Sequence, residues 1–388
     1  MNDQLIPIPK PPRLKSLDVF RGMTIAAMIL VNTIPDDTPY TWLLHPKWHG
    51  FTLADLVFPS FLFIMGTAMA FSMSNYTEKG QTITKNTYWQ IFRRSLILFG
   101  LGLILNKLIW NYNFFEPVFF DIEHLRIMGV LQRIGIAFFL AAIAIINLSN
   151  RGLWILTVEI LVGYWLILAL NPAPDNADGV FSQLGNFSSY IDRLVIAKGH
   201  LHGSFKQLGD PEGLFSTLPA TVNVLFGYLT GSWLKQQPAG SKVSTNLLMF
   251  GLAAVVIGMI WGEFFPINKK IWTSSYVVLS TGWSLILFAG CYELVDVRKY
   301  GKWFKSFEMM GLNPIAIFFS SIVLLKIFLI NNLARGEKVE INPAQLLTSN
   351  LLGWAGSVNS GLLAAIATVL FWLLISYLMY RKKWFIKI

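Results

Sequence analysis

Residues His45 to Gly66 read HPKWHGFTLADLVFPSFLFIMG. An apolar run opens at Phe51 and continues to about residue 73. That is the roughly 20 residues a helix needs to cross the hydrocarbon core of a bilayer. At its mouth stand two histidines, a tryptophan and an aspartate. Ionisable groups at a membrane boundary are costly to keep, so this cluster reads as a functional site. Part of it is structural. Thr52-Leu-Ala-Asp55 fits a capping box, with Thr52 as N-cap and Asp55 bonding back to it. Gly50 permits the sharp turn before the helix, and Pro59 is expected to kink it one turn further in. None of this accounts for His45, Trp48 or His49.

The rest of the chain repeats the apolar theme. Its 388 residues are 54% hydrophobic and 13% charged, with a mean hydropathy of +0.54. A soluble domain carries about a quarter charged residues. Further apolar runs fall near 17–34, 89–109, 127–148, 152–171, 214–235, 245–264, 272–294, 309–331 and 358–380. The expected fold is all-α, a polytopic membrane protein of about ten transmembrane helices in a single domain over 1–388. Residues 1–15 form a cytoplasmic tail and 172–213 a long outer loop. The first run is long and lacks a small-residue cleavage site, so it reads as an uncleaved span.

The net charge of +10 would suit nucleic acid if the charges were clustered. Instead most of the 31 lysines and arginines fall in alternate connecting segments. That is the positive-inside pattern; it places both termini in the cytoplasm and leaves no nucleic-acid partner. All five histidines then lie in outer segments. Cys291 is the single cysteine, which excludes an intrachain disulfide and a cysteine metal or redox pair. His200-Leu-His202 lacks a third ligand, so no metal is expected.

The chemistry at the mouth follows from position. A carboxylate in the first turn of a helix is stabilised in its charged form by the helix dipole. An ionised Asp55 near His45 would orient the imidazole and stabilise the imidazolium, making the histidine an effective general base. Elsewhere, Asp18 and Arg21 are spaced to pair on the first span. Gln132 and Arg133 lie inside the fourth, where a charge must face the bundle interior or water. Asn313-Pro314 is expected to break the ninth span, and broken helices line cavities. Lys269 and Lys270 read most simply as interfacial anchors. Glu159 is expected to make an inward-facing hydrogen bond. Tryptophans near span ends fit an aromatic belt. Trp48 is set apart, because an aromatic face beside His45 suits a sugar ring.

Several motifs recur together in one known family. Ser16-Leu-Asp-Val-Phe-Arg-Gly22, then Asn32, then His45-x-x-Trp48-x-Gly50-x-Thr52-x-Ala-Asp55-Leu-Val-Phe-Pro59 resembles the heparan-α-glucosaminide N-acetyltransferase family. So do Gly129-Val-Leu-Gln-Arg133-Ile-Gly135, Pro211-Glu-Gly213 and Pro266-Ile-Asn-Lys269-x-x-Trp272-x-x-Ser275-Tyr276. The matches run in order from residue 13 to about 320. The resemblance implies transfer of an acetyl group across a membrane, from acetyl-CoA to the amine of a glucosamine unit. It implies that His45 is catalytic with Asn32 beside it. The animal enzymes add a large lumenal domain and a further span, so the expected acceptor here is a smaller amino sugar. They also carry asparagine at the position of His49, which therefore has no catalytic role assigned.

On that reading the catalytic set is His45, Asp55 and Asn32, the last donating to the developing oxyanion. His45 acts as general base or as a transient acetyl carrier. Arg21, Gln132, Arg133, Asn313 and Lys269 are the candidate acetyl-CoA contacts. Trp48, Glu212 and Trp272 are the candidate sugar contacts. The expected setting is a bacterial inner membrane, with lipid around the bundle, the active-site mouth facing the periplasm, and a homodimer as the assembly. Two other readings share these features: a sugar or lipid-linked-sugar transporter or flippase without chemistry, and a glycan O-acyltransferase.

Overall fold

The computed structural model describes residues 14–34, 40–77, 82–107, 125–175, 178–203, 208–334 and 356–386. All regular structure among them is helical. The long elements are α1 (Lys15–Thr33), α2 (Leu53–Ser72), α3 (Lys85–Lys107), α4 (Val130–Asn147) and α5 (Asn150–Leu170). A short α6 (Phe187–Val195) lies in the long loop. Then come α7 (Thr217–Lys235), α8 (Ser241–Gly262), α9 (Ser274–Tyr292), α10 (Lys305–Gly311), α11 (Pro314–Ala334) and α12 (Gly356–Arg381).

Each expected apolar run carries a helix. The ninth is the pair α10 and α11, bent by 86° at the break before Pro314. Proline has no N–H to continue the ladder, so the turn opens where the sequence predicts it. Seven helices among the described residues are long and apolar enough to cross a membrane, or eight if the bent pair counts as one span. The two long helices outside that set are α1, which carries Lys15, Asp18 and Arg21, and α7, which carries Thr217, Thr221 and Asn223. Both bury most of their length. A helix screened from lipid by its neighbours does not need an apolar circumference, which is why hydropathy underrates them.

The bundle has an inner and an outer ring. The most apolar stretch of α2 is 78% buried, whereas that of α5 is 28% buried. On α5, Leu153, Thr157, Leu161, Tyr164 and Leu168 face inward at spacings of three and four. Trp154, Ile155, Val158, Val162 and Leu166 face out. Glu159 falls on that outward side and is exposed. The inward hydrogen bond expected of it is therefore corrected: two residues past Thr157 the helix has turned most of the way round.

Glycines set the closest crossings. A Cβ on Gly66 of α2 would lie 1.9 Å from the Val224 carbonyl oxygen of α7. One on Gly227 of α7 would lie 2.0 Å from that of Phe63. Backbones approach this closely only where side chains are absent, as at small-residue contacts between membrane helices. At the other crossing, Gly22 of α1 and Gly311 of α10 meet backbone at 1.8 Å and 1.9 Å.

This last contact orients the molecule. It fixes Asn313 and Arg21 at the starting end of α1, the cytoplasmic end in the sequence reading. The segment holding His45, residues 125–129, the loop between α5 and α7, and residues 263–273 follow the opposite helix ends. They converge there, as the functional site requires.

Gly66→Ala is expected to lower the melting temperature of the detergent-solubilised protein, through an overpacking penalty of at least about 1–3 kcal/mol. Gly163→Ala, where an added Cβ meets nothing within 4 Å, is expected to leave it unchanged. Equal melting of the two variants would refute the close crossing.

Candidate functional site

The site grows from the first turn of α2. Thr52 is the N-cap in extended backbone, and the capping box forms. Asp55 Oδ2 accepts the Thr52 N–H at 3.2 Å, and the Thr52 hydroxyl donates back to the Leu44 carbonyl at 2.8 Å. That second bond folds the preceding loop over the helix start. Gly50, at φ +126°, makes the turn a side chain would strain. Its N–H donates to the Ile267 carbonyl at 2.9 Å, tying the loop to residues 263–273.

The result places His45 Nδ1 2.7 Å from Asp55 Oδ1. An ionised carboxylate only accepts, so Nδ1 carries the proton and Nε2 presents its lone pair. Asp55 is 0% exposed, while the His45 side chain is 43% exposed. The orienting group is enclosed and the working group is open. Tyr276 of α9 donates its hydroxyl to the Asp55 carbonyl at 2.6 Å, fixing the helix start from below.

Lys269 completes the cluster. Its Nζ lies 3.5 Å from Asp55 Oδ1, 3.3 Å from His45 Nδ1 and 3.2 Å from His45 Nε2. The ammonium is thus within hydrogen-bonding distance of both ring nitrogens. Buried Asn268 sets this geometry: its Oδ1 accepts the N–H groups of Lys270 at 2.7 Å and Ile271 at 3.2 Å. Its Nδ2 donates to His49 Nδ1 at 3.3 Å. His49 thus supports the loop carrying Lys269. Burial pushes the Lys269 ammonium below the usual amine range, against the opposing pull of Asp55.

A second charged cluster adjoins the first. Arg126 Nε donates to Asp210 Oδ2 at 2.8 Å, and its Nη2 to Asp210 Oδ1 and Glu212 Oε2 at 2.5 Å each. Burial alone would raise Glu212, but Arg126 and Arg133 hold its carboxyl down at about 2. Arg133, 0% exposed on α4, donates Nη2 to the Gly213 carbonyl at 3.2 Å and to Ser216 Oγ at 2.5 Å. Its guanidinium sits 4.8 Å over the Trp272 ring. Asp192 of α6 accepts the Leu214 N–H at 2.8 Å. Burial, then the neighbouring Asp210 carboxylate, push Asp192 up to about 7.

The other sequence-derived residues fall as follows. Trp272 is 1% exposed and held at φ 50°, a conformation that bulky residues rarely adopt. Its Nε1 donates to Asn223 Oδ1 at 2.9 Å, and Phe58 and Tyr276 pack edge-on at 5.1 Å. It is a core post beneath the site, with no open face for a sugar. Trp48 is half-buried, donating Nε1 to the Phe181 carbonyl at 2.8 Å. Gln132 presses its Oε1 between Gly102 and Gly129, where a Cβ would lie 2.2 Å and 2.8 Å away.

Arg21 donates to the Gly311 carbonyl at 3.1 Å and pairs with Asp18 at 3.6 Å. Asn313 donates to the Trp384 carbonyl at 2.9 Å and accepts the Ile386 N–H at 2.8 Å, which anchors the C-terminal end. Both sit at the end of the bundle away from His45. Asn32 is exposed in the last turn of α1. No hydrogen bond among the described residues joins Asn32 to His45. His200 donates Nδ1–H to the Leu125 carbonyl at 2.8 Å, a structural bond. His124 lies outside the described residues.

The catalytic-region sequence model of heparan-alpha-glucosaminide N-acetyltransferase matches residues 13–259. The chain belongs to the heparan-alpha-glucosaminide N-acetyltransferase family. The human protein of that name is 30% identical over 431 residues, covering 97% of this chain and 60% of the relative. The mouse protein is 29% identical over 426 residues with the same two shares. The chain thus spans about 60% of the length of these relatives. The match to the catalytic region ends before Lys269, Trp272 and Tyr276, yet this family member folds all three against His45, Asp55 or the core beneath them.

Arg126 was not singled out from the sequence, and Asp192 and Asp210 stood there only among the acidic residues of the long outer loop that could suit a polar ligand. Arg126 stands 84 residues from Asp210, and no local pattern links them. The signal was the concentration of acidic residues in the long outer loop, which needs buried cations to close on.

Asp192 gives a pH dependence with a definite sign. Its carboxyl is raised above the usual carboxylate value of about 3.9, so the folded state holds the proton more tightly than the unfolded state. The stabilisation is fully present below pH 4 and is lost as pH rises toward 7. Melting from pH 4.5 to 7 should show a stability slope of about 1.4 kcal/mol per pH unit that Asp192→Asn flattens. A slope unchanged by that substitution would contradict the assignment.

Proposed function

We propose that this protein transfers an acetyl group from acetyl-CoA, across the membrane, to the amine of glucosamine or a related amino sugar. The observation that carries the reading is the 2.7 Å contact between His45 Nδ1 and a fully enclosed Asp55. It leaves Nε2 as an exposed, oriented base in a chain of this family. A protonated amine is no nucleophile. Once the sugar ammonium has given one proton to solvent, His45 Nε2 takes the second as the amine attacks the thioester carbonyl. Asp55 stabilises the imidazolium that forms. Direct transfer is the simpler route; an acetyl-imidazole intermediate would use the same Nε2 lone pair.

The orientation follows from the charges. With ten spans and both termini inside, the His45 end faces outward, toward the periplasm if the membrane is a bacterial inner membrane. Asn32 stands in the last turn of α1, near enough in sequence to join the site as an oxyanion donor when substrates are bound. Trp48 and Glu212 border the mouth as polar and aromatic contacts for a sugar. Arg133, Gln132 and Lys269 are the acyl-donor contacts at this end.

The test is a purified protein in detergent with labelled acetyl-CoA and glucosamine. N-acetylated sugar should form, and His45→Ala should reduce its rate by at least about a hundredfold with unchanged melting. Undiminished activity in that variant would remove His45 from the mechanism. Passage of the amino sugar through proteoliposomes with no thioester consumed would identify a transporter instead.

A further inference from the structure

Acyl transfer from a thioester to an amine moves two protons. One leaves the amine, and one must reach the sulfur that departs. His45 accounts for the first alone. The group that can supply the second is already in contact with it. The ammonium of Lys269 lies 3.2 Å from His45 Nε2, with its side chain 20% exposed. An interfacial anchor would extend into the headgroup region. This lysine is turned inward, and its loop is held there by the Asn268 bonds and by Gly50 to Ile267.

We propose that Lys269 is the general acid of this site, donating its proton to the departing thiolate. The inference rests on the acetyltransferase reading above. The balance is complete. The amine nitrogen forms a bond to the carbonyl carbon and loses its proton to His45 Nε2. The carbon–sulfur bond breaks, its electron pair stays on sulfur, and the sulfur takes a proton from Lys269 Nζ. His45 is then an imidazolium and Lys269 a neutral amine. They stand within hydrogen-bonding distance, so the proton returns from the ring to the lysine after a small tilt of the imidazole. Amine and thioester become amide and thiol, with both side chains restored.

The surroundings suit this role. Asp55 faces Lys269 from α2, Glu212 from the loop before α7 and Arg133 from α4, while His45 lies beside it. The carboxylates keep the lysine protonated at rest. Its burial weakens its hold on the proton relative to a free amine, which favours release.

The experiment uses the full chain in detergent with acetyl-CoA and glucosamine, and records kcat against pH for wild type, Lys269→Arg and Lys269→Gln, with melting as the folding control. Arginine keeps the charge but does not release its proton in this range. The expected result is a wild-type rate that falls at alkaline pH as Lys269 deprotonates. Both variants should be about a hundredfold slower at the optimum and lack that alkaline fall. A fully active Lys269→Arg would reduce the lysine to a fixed charge and overturn the proposal. So would slow variants that keep the alkaline fall, since another group would then be the acid. If Lys269→Arg fails to fold, Lys269→Gln decides by the same two readings. Wild-type protein inert toward glucosamine would instead remove the acetyltransferase reading, and the acid role with it.

Discussion

The structure at the His45 end of the bundle depends on one carboxylate. Asp55 accepts the Thr52 N–H, holds His45 by its ring and faces the ammonium of Lys269. Its own carbonyl is held by Tyr276. A buried carboxylate is tolerated only when its oxygens are matched by donors and its charge by a cation. Asp55 meets both conditions with groups from two separate segments, the one leading into α2 and residues 263–273. Each segment is therefore positioned by the same residue that the chemistry requires. The helix dipole adds a favourable field at that spot, as it would for any anion in a first turn.

The bundle exists to bring those segments together. Helices α2 and α7 cross at glycines, α1 and α10 at another pair, and the loops at one end are pulled into contact as a consequence. Residues 263–273 reach α2 because α9 packs beside it, and Tyr276 is the visible link. Trp272 stands below the site with Arg133 over its ring and Asn223 on its indole N–H. Its left-handed backbone is a local strain that this packing holds in place. The post fixes the direction of the loop that carries Lys269.

The apolar runs and the break at Asn313-Pro314 were legible because the bilayer imposes a length and proline imposes a break. His45, Asp55 and the Thr52 cap were legible because a capping box has a fixed spacing. Lys269 carried two readings, an interfacial anchor and an acyl-donor contact: a lysine beside a membrane boundary looks like an anchor, and only the fold shows which way it turns. Arg126 with Asp210 and Glu212 was hidden for the same reason, since pairing between two segments 84 residues apart leaves no periodic trace. Glu159 misled in the opposite sense. A charge in an apolar helix suggests an inward face, yet the helical phase set by Leu153, Thr157 and Leu161 carries it outward.

The residues assigned to the acyl donor separate by position. Arg21 and Asn313 lie at the far end of α1 from His45, and the twelve residues from Arg21 to Thr33 rise about 18 Å. Their observed bonds are structural, to the Gly311 carbonyl, the Trp384 carbonyl and the Ile386 N–H. Gln132 and Arg133 differ. Gln132 Nε2 and Arg133 Nε and Nη1 are buried without a hydrogen-bond partner among the described residues. Leaving a buried donor unmatched costs about 1–3 kcal/mol, more for a charged group, and a fold that needed them only for packing would use apolar side chains at these positions. The unmatched donors sit on α4, in the same end of the bundle as His45, with Arg133 stacked on the post that supports Lys269. Gln132 and Arg133 therefore share the end of the molecule that holds His45, while Ser16 Oγ at the start of α1 and Arg94 Nε of α3 are buried without a hydrogen-bond partner elsewhere among the described residues.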